Sequence, residues 1–388
     1  MTAAREIAVV LGTRPEAIKL APVVAGLRDS GWARPHVVVT GQHDRSVIDD
    51  VLRLFGLQVD VDLAVPRGEN SVAALTAAVL RSVDAALATL RPDLVMVQGD
   101  TATTLSGALA GFFRRIPVAH LEAGLRTYDL AAPFPEEGNR RLVTGIAALH
   151  LAPTVAAAAN LFREGAPAGS VVLTGNTVLD ALRTASALRR PYGDPALEAL
   201  DASGRRVVVV TAHRRESWGE PMRRVGAAVA RLARLHPEVG LVLAAHMNPA
   251  VRDVLEAEVR HCPNVLMPGP MAYGPFARLL ARADLVVTDS GGIQEEAPSL
   301  GVPVLVTRDV TEREESVEAG VARLVGTDPA TIVAAAHDLL TDPVGYGRMA
   351  QAVSPYGDGR AAHRCVEACG WLLGVAERPH DFAPHPVG

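Results

Sequence analysis

The sequence predicts an α/β protein of two doubly wound domains, and two observations carry that reading. Short β-branched runs alternate with longer alanine- and leucine-rich amphipathic runs, the pattern of parallel strands whose crossover helices cover both faces of a sheet. The alternation comes as two series. The first offers strands at Ile7–Leu11, His36–Thr40, Leu94–Gln98, Val118–Leu121, Leu149–Ala152 and Val171–Thr174. The second offers Val207–Thr211, Gly240–Ala244, Val265–Met267, Leu285–Thr288 and Val302–Val306. Val72–Leu90 and Met222–Leu235 are clear helical stretches between them. The segment Arg189–Arg205, with Pro191, Gly193, Pro195 and Gly204, breaks the rhythm at the start of the second series. The crossover is expected at about Gly175–Asp180. The expected domains are residues 1–175 and 176–359, with a helix at about 360–375 packing back on the first. Residues 376–388 contain three prolines and no periodicity, and are expected to be a mobile tail.

Composition narrows the function. The 388 residues are 49% hydrophobic and 21% charged, the balance of a globular chain with sizeable cores. The net charge of −5 provides no basic field for nucleic acid or a membrane surface, so an anionic ligand needs a local site. No apolar run is expected to reach the ~18 residues of a membrane span. Met1–Arg5 leads straight into a strand without the features of a signal peptide. Three cysteines, Cys262, Cys365 and Cys369, fit a reducing cytoplasm better than a disulfide scaffold.

Of the 38 basic residues one is a lysine, Lys19, and the other 37 are arginines. A genome rich in G and C accounts for the arginines but not for the survivor. Lysine is a compact point charge and arginine a planar fork, so a solitary lysine marks a place where the fork does not fit.

The residues around Lys19 suggest what that place is. The first strand ends in Gly12-Thr13-Arg14-Pro15-Glu16, and proline suits the opening turn of a helix. A strand-to-helix turn with backbone N–H groups available is an anion site, and Arg14 and Lys19 add two cations. The strand Leu94–Gln98 runs into Gly99-Asp100-Thr101, and the next into His120-Leu121-Glu122-Ala123-Gly124. Carboxylates at the carboxyl ends of successive parallel strands face the crevice where ligands bind, and make a plausible acid/base pair. Phe134-Pro135-Glu136-Glu137 leads into a helix; acids there either oppose the helix dipole or act on a ligand.

In the second series Val207–Thr211 runs into Ala212-His213-Arg214-Arg215-Glu216, a histidine and two arginines suited to a pyrophosphate. Asp289-Ser290-Gly291-Gly292-Ile293-Gln294-Glu295-Glu296 follows another strand: Ser290 can cap, the glycines let a phosphate approach, and a carboxylate in the helix can grip ribose hydroxyls. Gly357-Asp358-Gly359-Arg360-Ala361-Ala362 matches a dinucleotide fingerprint loosely. It follows Pro355-Tyr356 rather than a strand, and no βαβ unit remains after it, so it is set aside. No Walker loop and no Cys/His metal spacing is present, and neither a cofactor nor a metal is expected.

Taken together, the runs GTRPEAIKLAP, TGQH, QGDTATT, HLEAGLRT, PFPEEGNR, TAHRRES, TDSGGIQEEAPSLGVPVL and PYGDG resemble the non-hydrolysing UDP-N-acetylglucosamine 2-epimerases of bacteria, from about Ile7 to Leu372. The resemblance implies the glycosyltransferase-B architecture, two Rossmann-like domains facing a cleft, and a homodimer. It implies nucleotide and phosphate contacts at Arg14, Lys19, His213, Met271, Phe276, Ser290, Gly291, Gly292, Glu296 and Arg313. Acid/base candidates fall on Asp100, Glu122 and Glu136, with His213 nearby. Two positions depart from the family: Glu314 replaces a common proline, and Met271 a common glutamine.

The implied activity is reversible inversion at C2 of a UDP-sugar. Its C2 proton is not acidic, since no carbonyl adjoins it. Oxidation at C3 by a nicotinamide is one solution, and its fingerprint is missing here. The other expels UDP from C1 while a base removes the C2 proton, giving a 2-acetamidoglucal. Rival readings are a hydrolysing epimerase, a glycosyltransferase on the same architecture, and a non-catalytic sugar-nucleotide sensor. A transferase needs an acceptor site, and a sensor would lack the three acids. Many bacterial members are activated by a second UDP-N-acetylglucosamine. The polar positions of that pocket map onto Gln42, Glu136, Arg214 and His246. Arg45 stands where regulated enzymes have glutamine, and Glu69 where they have arginine, with Arg67 close by; weak activation is expected.

Overall fold

The computed structural model describes residues 4–65, 71–212, 218–245 and 249–384. Two compact units emerge. One comprises the chain up to Ala181 together with Tyr356–Ala383, the other Leu182–Pro355. The division falls inside the helix Thr177–Ala187 rather than ahead of it at residue 175, and the chain returns to the first unit at Tyr356 rather than 360.

The first unit holds a seven-stranded parallel sheet: β1 Arg5–Leu11, β2 Ala33–Val39, β3 Val61–Asp62, β4 Leu94–Gln98, β5 Val118–Leu121, β6 Leu149–Ala152 and β7 Val171–Leu173. Its order is β3-β2-β1-β4-β5-β6-β7. The second unit holds six parallel strands: β8 Val207–Ala212, β9 Gly240–Ala245, β10 Val265–Leu266, β11 Leu285–Thr288, β12 Val304–Val306 and β13 Ala322–Leu324. Their order is β10-β9-β8-β11-β12-β13. In each sheet the order in which strands are added reverses once, between β1 and β4 and between β8 and β11, with every pair parallel. Both units are Rossmann-like, and such a switch point is where ligands bind in open α/β sheets.

The strands are near-continuous apolar runs because helices bury both faces. Ile7 through Leu11 and Leu94 through Val97 are all at most 1% exposed. β3 and β13, of two and three residues, are too short to leave a periodic signal in the sequence. Arg189–Arg205 hides one regular element, the helix Pro195–Ala202, capped by Asp194 Oδ1 on the N–H of Ala196 at 2.9 Å.

One expectation fails, at the tail. Val72–Leu90 is a 19-residue helix long and apolar enough, by length and composition, to cross a bilayer. It is a helix of this sheet nonetheless: Val79, Val83 and Leu87 lie in the core, and Asp84 receives both Nε and Nη2 of Arg114 at 2.6 and 2.7 Å. The expected mobile tail is anchored as far as Phe382. Its N–H donates to Leu173 O at 2.7 Å, Asp381 Oδ1 accepts the Leu173 N–H at 2.9 Å, and the Phe382 ring is 4% exposed.

Candidate active site

At the switch point of the first unit, β1 passes through Gly12 into the helix Arg14–Asp29. Glycine is required there: a Cβ at Gly12 would lie 2.2 Å from Thr40 Oγ1 and 2.3 Å from Thr103 Oγ1. Thr13 and Glu16 form a capping box. The N–H groups of Gly12 and Thr13 donate to Glu16 Oε2 at 2.6 and 2.8 Å. These N–H groups, expected to face an anion, are thus taken by the chain's own carboxylate. Burial raises the Glu16 pKa, against the pull of the hydroxyl and N–H donors around it. Arg14 sits half-buried in the same turn.

Lys19, one turn on, is turned to a carboxylate as well. Its Nζ lies 2.6 Å from both oxygens of Glu122, with the two side chains 20% and 6% exposed. Gln98 Nε2 donates to Glu122 Oε2, and Asn176 Nδ2 reaches Oε1 at 3.5 Å. Glu122 itself has φ +64°, the left-handed region that costs a non-glycine residue roughly 1–3 kcal/mol. A buried ammonium, an amide from the adjacent strand and an amide from Asn176 offset that cost and fix the carboxylate.

Asp100 follows β4 and Glu122 follows β5, where Gln98 and Leu121 are register partners, so the two acids leave the sheet side by side. A Cβ on Gly99 would lie 3.9 Å from Glu122 Oε2. The Asp100 carboxylate pairs with Arg140, Nη2 at 2.6 Å and Nε at 2.9 Å, and its carbonyl accepts Asn139 Nδ2 at 2.8 Å. Both partners come from the helix Glu136–Thr144. Glu136 opens that helix, half-buried, while Glu137 beside it is fully buried and receives the N–H groups of Thr127 and Tyr128 at 3.1 and 3.2 Å. The adjacent acids thus divide: Glu137 ties the preceding loop, and Glu136 is the more accessible. Gln98, Asn139, Arg140 and Asn176 were not singled out from sequence, since nothing in their local pattern marks them.

The second unit presents its own switch point. β11 ends at Thr288, whose hydroxyl meets that of Thr211 at 2.6 Å and accepts the Ser290 N–H at 2.9 Å. The expected Ser290 cap is not made; its side chain forms no capping bond over the helix Gly291–Glu296. Glu295 and Glu296 are buried, and Arg313 Nε binds Glu295 Oε1 at 2.5 Å. Thr311 Oγ1 donates to Gln294 Oε1 at 2.6 Å, so the 311–313 loop is laced to that helix. Met271 and Phe276, both half-buried, bracket the start of the helix Tyr273–Arg282. His213, Arg214, His246 and Glu69 lie outside the described residues. Of the remaining activator-pocket positions, Gln42 Oε1 accepts the N–H and hydroxyl of Thr103 at 3.1 and 2.7 Å. Arg45 pairs with Asp49 at 2.7 Å and with Asp62. The loose glycine fingerprint near Gly357 opens the helix Ala361–Leu372, whose Ala361 and Ala362 N–H groups donate to Asp180 at 3.2 and 3.0 Å. Among the described residues no group of three His, Cys, Asp or Glu side chains could hold a metal ion.

Two Rossmann-like units, one with paired acids at its strand ends and one with a glycine turn leading into a helix, define an enzyme of the glycosyltransferase-B type of architecture. The family model described as UDP-N-acetylglucosamine 2-epimerase matches residues 25–370. A probable UDP-N-acetylglucosamine 2-epimerase of Ralstonia nicotianae is 47% identical over 94% of this chain and 98% of its own. A putative UDP-N-acetylglucosamine 2-epimerase of Listeria monocytogenes has a solved structure that superposes with a TM-score of 0.92, at 40% identity over 98% of this chain and all of the other. The Neisseria meningitidis UDP-GlcNAc 2-epimerase, solved bound to UDP-GlcNAc, superposes with a TM-score of 0.82, again at 40% identity, over 94% and 99% of the two chains. The chain belongs to the UDP-N-acetylglucosamine 2-epimerase family and is an isomerase.

Proposed function

We propose that the enzyme interconverts UDP-N-acetylglucosamine and UDP-N-acetylmannosamine without hydrolysis, by eliminating and re-adding UDP. A base takes the C2 proton as the C1–O bond breaks and UDP leaves with the electron pair. The products are 2-acetamidoglucal and UDP. Delivery of a proton to the opposite face of C2, with return of UDP to C1, completes the inversion. The observation that carries this reading is the pair of acids at the ends of β4 and β5, each held by a cation: Asp100 by Arg140, which also reaches Glu137, and Glu122 by Lys19. Such preorganised carboxylates suit proton transfer at adjacent positions of one sugar.

Asp100 and Glu122 act at C2, with Glu136 as a third acid. Arg14, Lys19, His213 and the Ser290–Gly292 turn stabilise the departing pyrophosphate, an electrostatic task. Met271, Phe276, Glu296 and Arg313 hold the nucleoside. The reading includes a homodimer acting in the cytoplasm, supported by the family likeness and the low cysteine count. The experiment is NMR of UDP-N-acetylglucosamine with the enzyme in deuterated water. UDP-N-acetylmannosamine should appear with deuterium at C2 in both epimers. Epimerisation that keeps protium at C2 through many turnovers would rule out exchange with solvent, and release of free N-acetylmannosamine would make the enzyme a hydrolase.

A further inference from the structure

Resting on the reading of Asp100 as an acid/base group, we propose that His120 is a positioning residue for it, acting through the Gly99 carbonyl. His120 lies in β5, two residues before Glu122, with its side chain fully buried. Its Nε2 is 2.7 Å from Gly99 O. A carbonyl only accepts, so Nε2 carries the hydrogen and Nδ1 is a bare acceptor. That Nδ1 is buried and has no hydrogen-bond partner among the described residues. Such an orphaned acceptor costs about 1–3 kcal/mol, which an apolar side chain would avoid. What the ring gives here that an apolar side chain would not is the bond from its other nitrogen to Gly99 O.

What that bond holds is the peptide between Gly99 and Asp100. Gly99 has φ +74°, and its N–H donates to Leu121 O at 3.0 Å. With the Gly99 carbonyl fixed by His120 and the Asp100 carbonyl by Asn139, both peptide planes flanking the Asp100 Cα are set. The direction in which the carboxylate leaves the sheet follows. Burial, with Arg126 and Arg140 nearby, lowers the His120 pKa to about 4, so the ring stays a neutral single donor. His150, its register partner on β6, provides an internal comparison. It is also buried and its Nδ1 is likewise unpartnered among the described residues, but it makes no bond to Gly99.

Two amides test this. The Gln amide nitrogen falls near the imidazole Nε2 position and reaches Gly99 O, whereas the Asn nitrogen falls near Nδ1 and does not. His120→Gln should keep kcat within about fivefold of wild type, while His120→Asn should lose on the order of 30- to 100-fold with KM nearly unchanged, the scale of a misplaced catalytic group. In His120→Asn the isotope effect on kcat with substrate deuterated at C2 should rise, because proton transfer becomes the slow step. His150→Asn should leave kcat within about threefold, since it holds no catalytic peptide. Equal activity of the two His120 amides overturns the proposal, as does an equal loss at His150. An Asn variant that unfolds, judged by its thermal midpoint, assigns His120 to the fold and overturns it too. A wild type with no turnover overturns the functional reading and this one together, whereas an active wild type with indistinguishable Gln and Asn variants overturns this one alone.

Discussion

The two switch points are built from the same strand-turn-helix plan and finished in opposite ways. In the first unit the turn is filled by the chain itself. Thr40 and Thr103 close over Gly12, Glu16 occupies the turn's N–H groups, and Lys19 and Arg140 each hold a carboxylate. In the second, Ser290 leaves its helix uncapped, and among the described residues a Cβ at Gly292 would meet nothing closer than Ser290 Oγ at 4.0 Å. Filled polar networks are rigid and leave side chains in fixed geometry, which proton transfer needs. An unfilled glycine turn lets a ligand approach the backbone, which phosphate recognition needs. On the proposed reading, the contrast gives proton transfer to the acids of the first unit and the larger share of the nucleotide grip to the second.

The largest expected effects come from breaking the first network at its acids. Asp100→Asn and Glu122→Gln should each lower kcat by roughly 10²- to 10⁴-fold, the contribution of a positioned acid or base. UDP affinity, measured by calorimetry, should change far less. A parallel loss of UDP binding would show that these two acids are ligand contacts rather than proton-transfer groups, and the contrast would fail. Lys19→Arg is the next test. The ammonium meets both Glu122 oxygens in a space 20% exposed, where a planar fork displaces the carboxylate. On the order of a tenfold loss in kcat, about 1.4 kcal/mol, is expected. Wild-type rates in that variant would remove the argument from the solitary lysine.

The two glycines sharpen the comparison directly. Gly12→Ala drives a methyl into two threonine hydroxyls and should cost about 1–3 kcal/mol or more of stability, read from urea unfolding. Gly292→Ala should leave stability within about 0.5 kcal/mol and weaken UDP binding instead. The reverse outcome would exchange the roles of the two turns.

Part of this contrast is legible in the sequence. The strands that end at Leu11, Gln98, Leu121 and Thr288 are visible from their apolar runs, and a glycine or acid directly after each marks the crevice. The single lysine marks its own importance but not its partner: the carboxylate it binds is 103 residues away. Asn176 reaches Glu122 across 54 residues, and Arg140 reaches Asp100 across 40. No local period encodes such contacts; the sheet order creates them. The free N–H groups expected at Gly12 were misread because a capping box looks like an open turn until the Glu16 side chain is seen to fold back. The tail was misread because one aromatic and one aspartate anchor it, and two residues make no periodicity.

Acid should separate the two units by stability. His120 and His150, both in the first unit, have pKa values lowered by burial to about 4. The unfolded chain takes up these two protons near pH 6.5 while the folded one refuses them until about 4, so their contribution is present above 6.5 and lost as pH falls. Asp180 works the other way: burial raises it to about 6, so the folded state gains as pH falls through 6. Glu16, also raised, acts in the same direction as Asp180. Between pH 6 and 4 the two histidines less Asp180 leave at most one net proton favouring unfolding, and Glu16 reduces it further, so the slope stays under about 1.4 kcal/mol per pH unit. Hydrogen exchange should show peptides of the first unit losing protection over that range, and a flat profile there would defeat the account.

The smallest effect expected is on activation by UDP-N-acetylglucosamine. Regulated members of the family carry an uncharged glutamine where this chain has Arg45, and the substitution would at first sight strengthen a diphosphate pocket. The geometry argues against that. Arg45 Nε binds Asp49 at 2.7 Å and its Nη1 pairs with Asp62, so two carboxylates already neutralise the guanidinium and hold it in place. Drawing it to a diphosphate would break two ion pairs, one part-buried and one exposed, each worth about 1 kcal/mol, for a contact that salt screens further. Gln42, the other described position of that pocket on this loop, has its carbonyl committed to Thr103. Activation should therefore be no more than about two- to threefold, under the ~1 kcal/mol at which a coupling counts as allosteric. The reverse reaction, started from UDP-N-acetylmannosamine alone, should run without a lag, and trace UDP-N-acetylglucosamine should leave its initial rate nearly unchanged. A strict requirement for the trace nucleotide would defeat this expectation, and would point either to Arg67 as the retained cation or to an Arg45 that releases its aspartates on binding. In the second case Asp49→Asn should lower the concentration of nucleotide needed, because a freer Arg45 reaches the pocket at less cost.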